Sequence, residues 1–185
     1  MDDVTARLEA LERRVRLLEG EAQVRRVLGR YMFLCDAPLA EPHLSHEDRA
    51  GALGALFTAD AVWEGVGAAH GAKFGRHVGP AAIARHLRQF FEARDPEQVF
   101  NTHYLCSEQI FAQEDTAEGR WVQFQPWIFD DGTTMLRSSR LQVRFRLTEA
   151  GWKISHYRTE NLFVADLPPD WAQTRIARSV LFASM

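Results

Sequence analysis

The apolar positions change their spacing midway along the chain: up to Phe91 they recur every three or four residues, and from Val99 onward they alternate with polar ones. The first pattern predicts amphipathic helices, the second strands with one buried face. Leu8, Leu11, Val15 and Leu18 form a narrow apolar seam in a Glu/Arg-rich stretch, suited to packing on the rest of the domain or on a sister subunit. Gly20 predicts a break or kink. A second helix from about Glu21 to Cys35 then places Val24, Val27, Leu28, Tyr31 and Cys35 on one face.

Pro38, Pro42 and the polar run His43 to Asp48 predict a loop, followed by a short helix from Ala50 to Phe57 with Leu53, Leu56 and Phe57 inward. Ala61 to Val66 reads as a first strand, with Gly-rich turns through Gly79. Pro80 occupies a favoured first helical position, and Ile83, Leu87, Phe90 and Phe91 supply that helix's buried face.

Four long strands follow: Val99 to Ala112, Gly119 to Asp130, Met135 to Leu147 and Trp152 to Thr159. The turns between them are short enough for antiparallel hairpins. In the third strand Ser138, Arg140, Gln142, Arg144 and Arg146 alternate with Leu141, Val143, Phe145 and Leu147, so Arg137 and Ser139 fall on the buried side. A buried Arg must be paired or hydrogen-bonded, and a cavity is one place where that happens; a frayed, solvated strand end accounts for the pattern equally well. Helices followed by a meander predict an α+β fold, with N-terminal helices covering a curved antiparallel sheet.

At 185 residues the chain suffices for one full-sized core. Its expected divisions are an N-terminal helix over 1–20, an α+β domain over 21–165 and a partly helical tail over 166–185. A hydrophobic content of 46%, with five Trp and twelve Phe, is enough to bury that core and still line a pocket with rings. The net charge of -3 with mixed signs presents no continuous basic surface, which argues against nucleic acid as a partner. No apolar run is long enough to span a membrane, and the start Met1-Asp2-Asp3-Val4 is acidic where a signal peptide is basic, so a soluble cytoplasmic protein is expected. Cys35 and Cys106 lack metal-ligand spacing and read as reduced core thiols, and His43 with His46 as a solvated pair rather than a metal site.

Three side chains suggest chemistry. Asp36 lies at the flank of its helix's apolar stripe, about 140° from Tyr31 on an ideal helix, so the two would approach a cavity from different angles. Turn preference alone makes Asp36 a helix-end residue, and periodicity alone makes Tyr31 a core aromatic. His103 shares a strand face with Val99, Asn101, Leu105, Ser107, Gln109 and Phe111, a mixed row suited to a polar-spotted cavity. A carboxylate on one ring nitrogen would fix its tautomer and leave the other as a base, and Asp36 is the carboxylate to expect there.

The segments Tyr31-Met-Phe-Leu-Cys-Asp36, Leu56-Phe-Thr-Ala-Asp-Ala-Val-Trp63, Asn101-Thr-His103, Glu118-Gly-Arg-Trp121 with Phe129-Asp-Asp-Gly132, and Gly151-Trp-Lys-Ile154 resemble the SnoaL-like branch of the nuclear-transport-factor-2-like superfamily. The resemblance runs across about residues 5 to 165, and is to the bile-acid 7α-dehydratases and, more distantly, the scytalone dehydratases of that group. It implies a cone of curved sheet around an apolar pocket, no cofactor and no metal, a small apolar or aromatic ligand, and a homodimer or homotrimer.

It further implies that Asp36 holds His103 as a base next to a carbonyl while Tyr31 helps the developing enolate, a dehydratase-type lyase reaction on a ring-bearing hydroxy-carbonyl compound. Ser139 falls near a polar pocket residue of that family. Gly65 replaces a Tyr of the first strand, and Gln123 and Gln125 are nearest to where a second His is found. Trp63, Trp121 and Trp127 offer an aromatic box, and Arg137 a polar contact. A ketosteroid-isomerase-like proton shuttle using Glu64, or a cyclase, and a non-catalytic hydrophobic binding module are the competing functions.

Overall fold

In the computed structural model, which describes residues 2–39, 41, 43–67, 74–92, 96–168 and 170–171, helix α1 runs unbroken from Asp2 to Cys35. Gly20 does not interrupt it. A Cβ there would come within 3.3 Å of the Trp152 ring, so the glycine serves close approach to the sheet rather than a kink. Before Gly20 the helix projects past the domain: Leu8, Leu11, Val15 and Leu18 are 55, 56, 51 and 63% exposed, so the seam does not pack on the rest of the domain. After it, Val24, Leu28, Tyr31, Met32 and Leu34 are buried.

Helix α2 spans His46–Ala55, earlier than its apolar residues suggest, because Ser45 caps it by accepting from the Asp48 amide at 3.0 Å. Phe57 consequently opens strand β1, Phe57–Val66, rather than closing the helix. Strand β2, Arg76–Val78, lies in what the glycine content marks as turns. Helix α3, Pro80–Arg88, begins at its proline and buries Ile83, His86 and Leu87. Then come β3 Gln98–Asn101, β4 Tyr104–Ala112, β5 Thr116–Phe129, β6 Thr134–Thr148 and β7 Gly151–Asp166. The expected partly helical tail, apart from its start in β7 and Leu167, Pro168, Asp170 and Trp171, lies outside the described residues.

Among the described residues the seven strands form one curved sheet in the order β2-β1-β7-β6-β5-β3, with β4 also on β5. It is mixed rather than antiparallel throughout, since β1 pairs with β7 in parallel while the remaining pairs are antiparallel. The expected strand from Val99 to Ala112 is two strands separated by Thr102 and His103. A second irregularity follows between Cys106 and Gln109, where Ser107 has φ of 51°. The expected single face is thereby lost, with Val99 and Phe111 exposed and Asn101 buried. Cys106 is exposed as well, not a core thiol.

On β6 the alternation holds for Leu141, Val143 and Phe145, all buried. Ser138, expected on the wet face, is only 2% exposed beside Ser139, because the β6–β7 register slips between them. Leu147, expected inside, is exposed at the strand end. The core thus sits between the concave face of β1, β5, β6 and β7 and the buried half of α1 with α2 and α3.

Candidate active site

The end of α1 is stitched to the break between β3 and β4. Arg49 of α2 donates from Nε to the Leu34 carbonyl at 2.6 Å and from Nη2 to the Asp36 carbonyl at 2.9 Å, satisfying acceptors that a helix end leaves open. Its guanidinium is covered by the Phe91 ring at 4.0 Å. Asn101 Nδ2 donates to the Cys35 carbonyl at 3.0 Å. Ala37 and Asn101 then exchange both backbone hydrogen bonds at 2.8 Å, forming an isolated bridge.

That bridge sets Asp36 beside His103. One carboxylate oxygen, Asp36 Oδ1, accepts from the His103 backbone N–H at 3.0 Å and lies 2.6 Å from His103 Nδ1. The strand breaks at His103 because its amide bonds to this carboxylate rather than to β5. Both side chains are largely enclosed, at 9 and 13% exposure for His103 and Asp36. An ionised carboxylate only accepts, so Nδ1 carries the proton and Nε2 keeps its lone pair.

His103 is part of the wall of a cavity of about 620 Å³ of empty space, partly open to solvent. Tyr31, Trp63, Gln123, Gln125, Arg137 and Ser139 line the same cavity, and Asp36 stands behind His103 rather than in the wall. Trp121 is not in the wall; its indole N–H donates to Glu108 at 3.1 Å, so the expected aromatic box is limited to Trp63 and Trp127. Sequence reading assigned no place in the site to Tyr157, Thr159, Phe74, Phe90 and Phe91, which also form the wall. Inward-facing aromatics on a strand or helix look like core, and only the hollow in front of them shows otherwise.

Gly65, where the resemblance leads one to expect a Tyr, is covered by Phe74, with which any Cβ at 65 would collide. Phe74 therefore occupies the room that a larger first-strand side chain would take. Glu64 points the other way: it meets His156 at 2.9 Å and lies 3.8 Å from Arg76 and 4.0 Å from Arg158, and it is absent from the cavity wall. A base on β1 is thereby lost to the isomerase reading.

Two polar groupings line the cavity. Tyr31 Oη accepts from Trp63 Nε1 at 3.0 Å, and Trp63 stacks on Tyr157 with centroids 5.7 Å apart and planes 5° from parallel. Burial holds both phenols above their ordinary pKa, so each stays a protonated donor at neutral pH. Burial also pushes the Cys35 thiol up to about 12, which makes it a poor nucleophile.

The second grouping is a relay of amides: Gln123 Nε2 donates to Gln125 Oε1 at 3.0 Å, and Gln125 Nε2 to Asn101 Oδ1 at 2.7 Å. Other polar groups of the wall differ. Among the described residues Gln123 Oε1 and Trp127 Nε1 are buried without a partner, and Arg137 meets the rings of Trp127 at 4.6 Å and Phe74 at 5.1 Å. Among the described residues no group of three His, Cys, Asp or Glu side chains is placed to hold a metal ion. His46 packs edge-on against Phe91 at 5.8 Å, and no described helix is long and apolar enough to cross a membrane.

Several solved structures share this fold. A scytalone dehydratase-like protein from Novosphingobium aromaticivorans is 15% identical, with 88% of this chain and 96% of that one covered at a TM-score of 0.63. A hexachlorocyclohexane dehydrochlorinase from Novosphingobium barchaimii is 16% identical over 81% of this chain and 91% of its own, at 0.61. An NTF2-like protein with a cystatin-like fold, also from Novosphingobium aromaticivorans, is 24% identical over 88% and 90%, at 0.57. No curated protein gives a significant match. The model of the SnoaL-like domain matches residues 16–158, from the last exposed turn of α1 before Gly20 into β7, and the chain belongs to that family.

Proposed function

We propose that the protein is a cofactor-independent lyase of dehydratase type acting on a small, ring-bearing hydroxy-carbonyl compound. The observation that carries this reading is the 2.6 Å contact between Asp36 Oδ1 and His103 Nδ1 at the wall of an aromatic cavity. A binding module needs the cavity but has no use for an oriented imidazole. Two of the structural neighbours are named for eliminations, a dehydratase-like protein and a dehydrochlorinase, which supports the same reaction class.

In this reading His103 Nε2 removes the acidic C–H proton next to the substrate carbonyl, and the C–H electron pair moves into the enolate. Asp36 stabilises the resulting imidazolium through Nδ1–H. Tyr31 O–H donates to the enolate oxygen; the N–H it receives from Trp63 polarises it toward donation. The enolate collapses, the β-C–O bond breaks, and His103 returns its proton to the departing hydroxyl, releasing water and the conjugated carbonyl product. No metal or cofactor takes part in these steps.

Screening cyclic β-hydroxy ketones for loss of water by mass spectrometry tests the reading. His103→Ala is expected to lower turnover by about 10²- to 10⁴-fold on any compound that reacts. Full turnover in that variant would sink the assignment. The exposed seam of α1 further supports a homodimer or homotrimer built through Leu8, Leu11, Val15 and Leu18. Light scattering on a chain carrying Leu11→Glu and Leu18→Glu should report a smaller assembly than the parent.

A further inference from the structure

One part of the cavity wall, opposite in character to the dyad, holds polar groups that no described residue satisfies. Arg137 sits at a register position facing Gln125 across β5–β6, and Trp127 lies two residues along β5 on the same inward row. The guanidinium rests between the rings of Trp127 and Phe74, and no described side chain offers it a carboxylate or a hydrogen bond. Among the described residues the cavity wall contains no Asp or Glu. Beside it the Trp127 N–H is buried and unpartnered. The Arg137 guanidinium thus lines the cavity with no acceptor among the described residues, in a place where unpaired donors are costly.

Burial draws Arg137 down to about 10, which leaves it charged at neutral pH. Ring faces support a cation but accept no conventional hydrogen bond from it, so they hold the guanidinium in position without competing for its edge. The partner that fits is a planar oxyanion, because a carboxylate matches a guanidinium edge with two parallel bonds. The aromatic side chains of the cavity wall, Phe74, Phe90 and Phe91 among them, suit a flat ring body.

We infer that the cavity takes a ring-bearing carboxylic acid as its anion, with the carboxylate on Arg137 and the ring along the aromatic wall. This rests on the reading of the cavity as a substrate site and narrows the substrate to an acid. Arg137 is a binding and specificity residue in this account, outside the proton-transfer machinery.

The test is binding, free of turnover. Benzoate, cinnamate and 2-naphthoate are each titrated at neutral pH against the matching carboxamide, followed by calorimetry and by quenching of the cavity tryptophans. At least one acid should bind about tenfold or more tightly than its amide, the size expected for hydrogen bonds to a charged group. Arg137→Met should abolish that preference while leaving amide affinity within about twofold, and Arg137→Lys should retain part of it. The acid preference of the unmodified protein decides the matter even if a variant fails to fold. Amides binding as well as acids throughout, no binding by any member, or an undiminished preference in Arg137→Met would each overturn the inference. His103→Ala should keep the acid preference, so a failure of the acid–base reading leaves a different signature from a failure of this one.

Discussion

Two sets of polar groups around the cavity differ in how they are satisfied. In the first, at the dyad, Asp36 accepts twice from His103, Asn101 is bonded to the Cys35 carbonyl and to Gln125, and Arg49 closes the last turn of α1. In the second set, among the described residues, Arg137, Trp127 Nε1 and Gln123 Oε1 meet rings or nothing. A group fully held by its own protein is positioned before anything binds, as a catalytic base requires; a group left open is completed by what binds. The first arrangement adds stability to the fold, and the second subtracts from it, which is the cost that the proposed recognition role accounts for.

Four substitutions test that contrast. The largest effect belongs to the dyad: beside the loss from His103→Ala, Asp36→Asn should lower turnover by about tenfold or more with the fold intact, as judged by circular dichroism. A turnover unchanged in Asp36→Asn would mean that the imidazole needs no carboxylate.

Next is His86, an unpartnered buried group outside the cavity, stacked on His77 at 3.8 Å and against Trp63 at 4.6 Å. Burial and His77 lower it from 6.5 to about 4. The unfolded chain takes up this proton near 6.5 and the folded chain only near 4, so stability is full above 6.5 and falls as the pH drops between the two. The loss amounts to about 2–3 kcal/mol, and His86→Gln should remove it from urea unfolding measured between pH 6.5 and 4.5. Ligand affinity should not follow that loss, which separates an open group without a ligand role from Arg137.

Gln125→Met breaks the amide relay and strands Gln123 Nε2 and Asn101 Oδ1; a destabilisation of about 1–3 kcal/mol in the same assay is expected. Arg137→Met should act in the reverse direction, raising stability by about 0.5–2 kcal/mol, since it replaces an unpaired charge with an apolar side chain. A clear loss of stability there would place Arg137 with the held groups and erase the contrast.

Much of this fold is legible in the local spacing of residues. The α1 face around Val24 and Leu28, the proline start of α3 and the alternation of β5 and β6 all follow from period and turn chemistry. What is not legible depends on distant partners. The parallel pairing of β1 with β7 joins segments about ninety residues apart and leaves no local mark. The strand break at His103 exists because a carboxylate 67 residues earlier takes its amide. Gly20 has the appearance of a helix breaker until Trp152 is seen against it. Ser45 was findable, since Ser followed by an acidic residue three positions on is a helix-start signature.

For the site, residue types and spacing bring Asp36, His103 and Tyr31 into view, yet nothing in the sequence shows which polar atoms are left over. Tyr157 and Phe74 resemble packing residues until their neighbours are placed, and the open edge of Arg137 becomes a property only in three dimensions.

The central claim is that Asp36 fixes the tautomer of His103 and so presents a free Nε2 to the cavity. Nitrogen-15 NMR of the histidine side chains, with His103 assigned by comparison with His103→Ala, tests this without any substrate. At neutral pH the account predicts a proton on Nδ1 and an unprotonated Nε2, with that preference lost in Asp36→Asn. A proton found on Nε2, or a tautomer indifferent to Asp36→Asn, would contradict it.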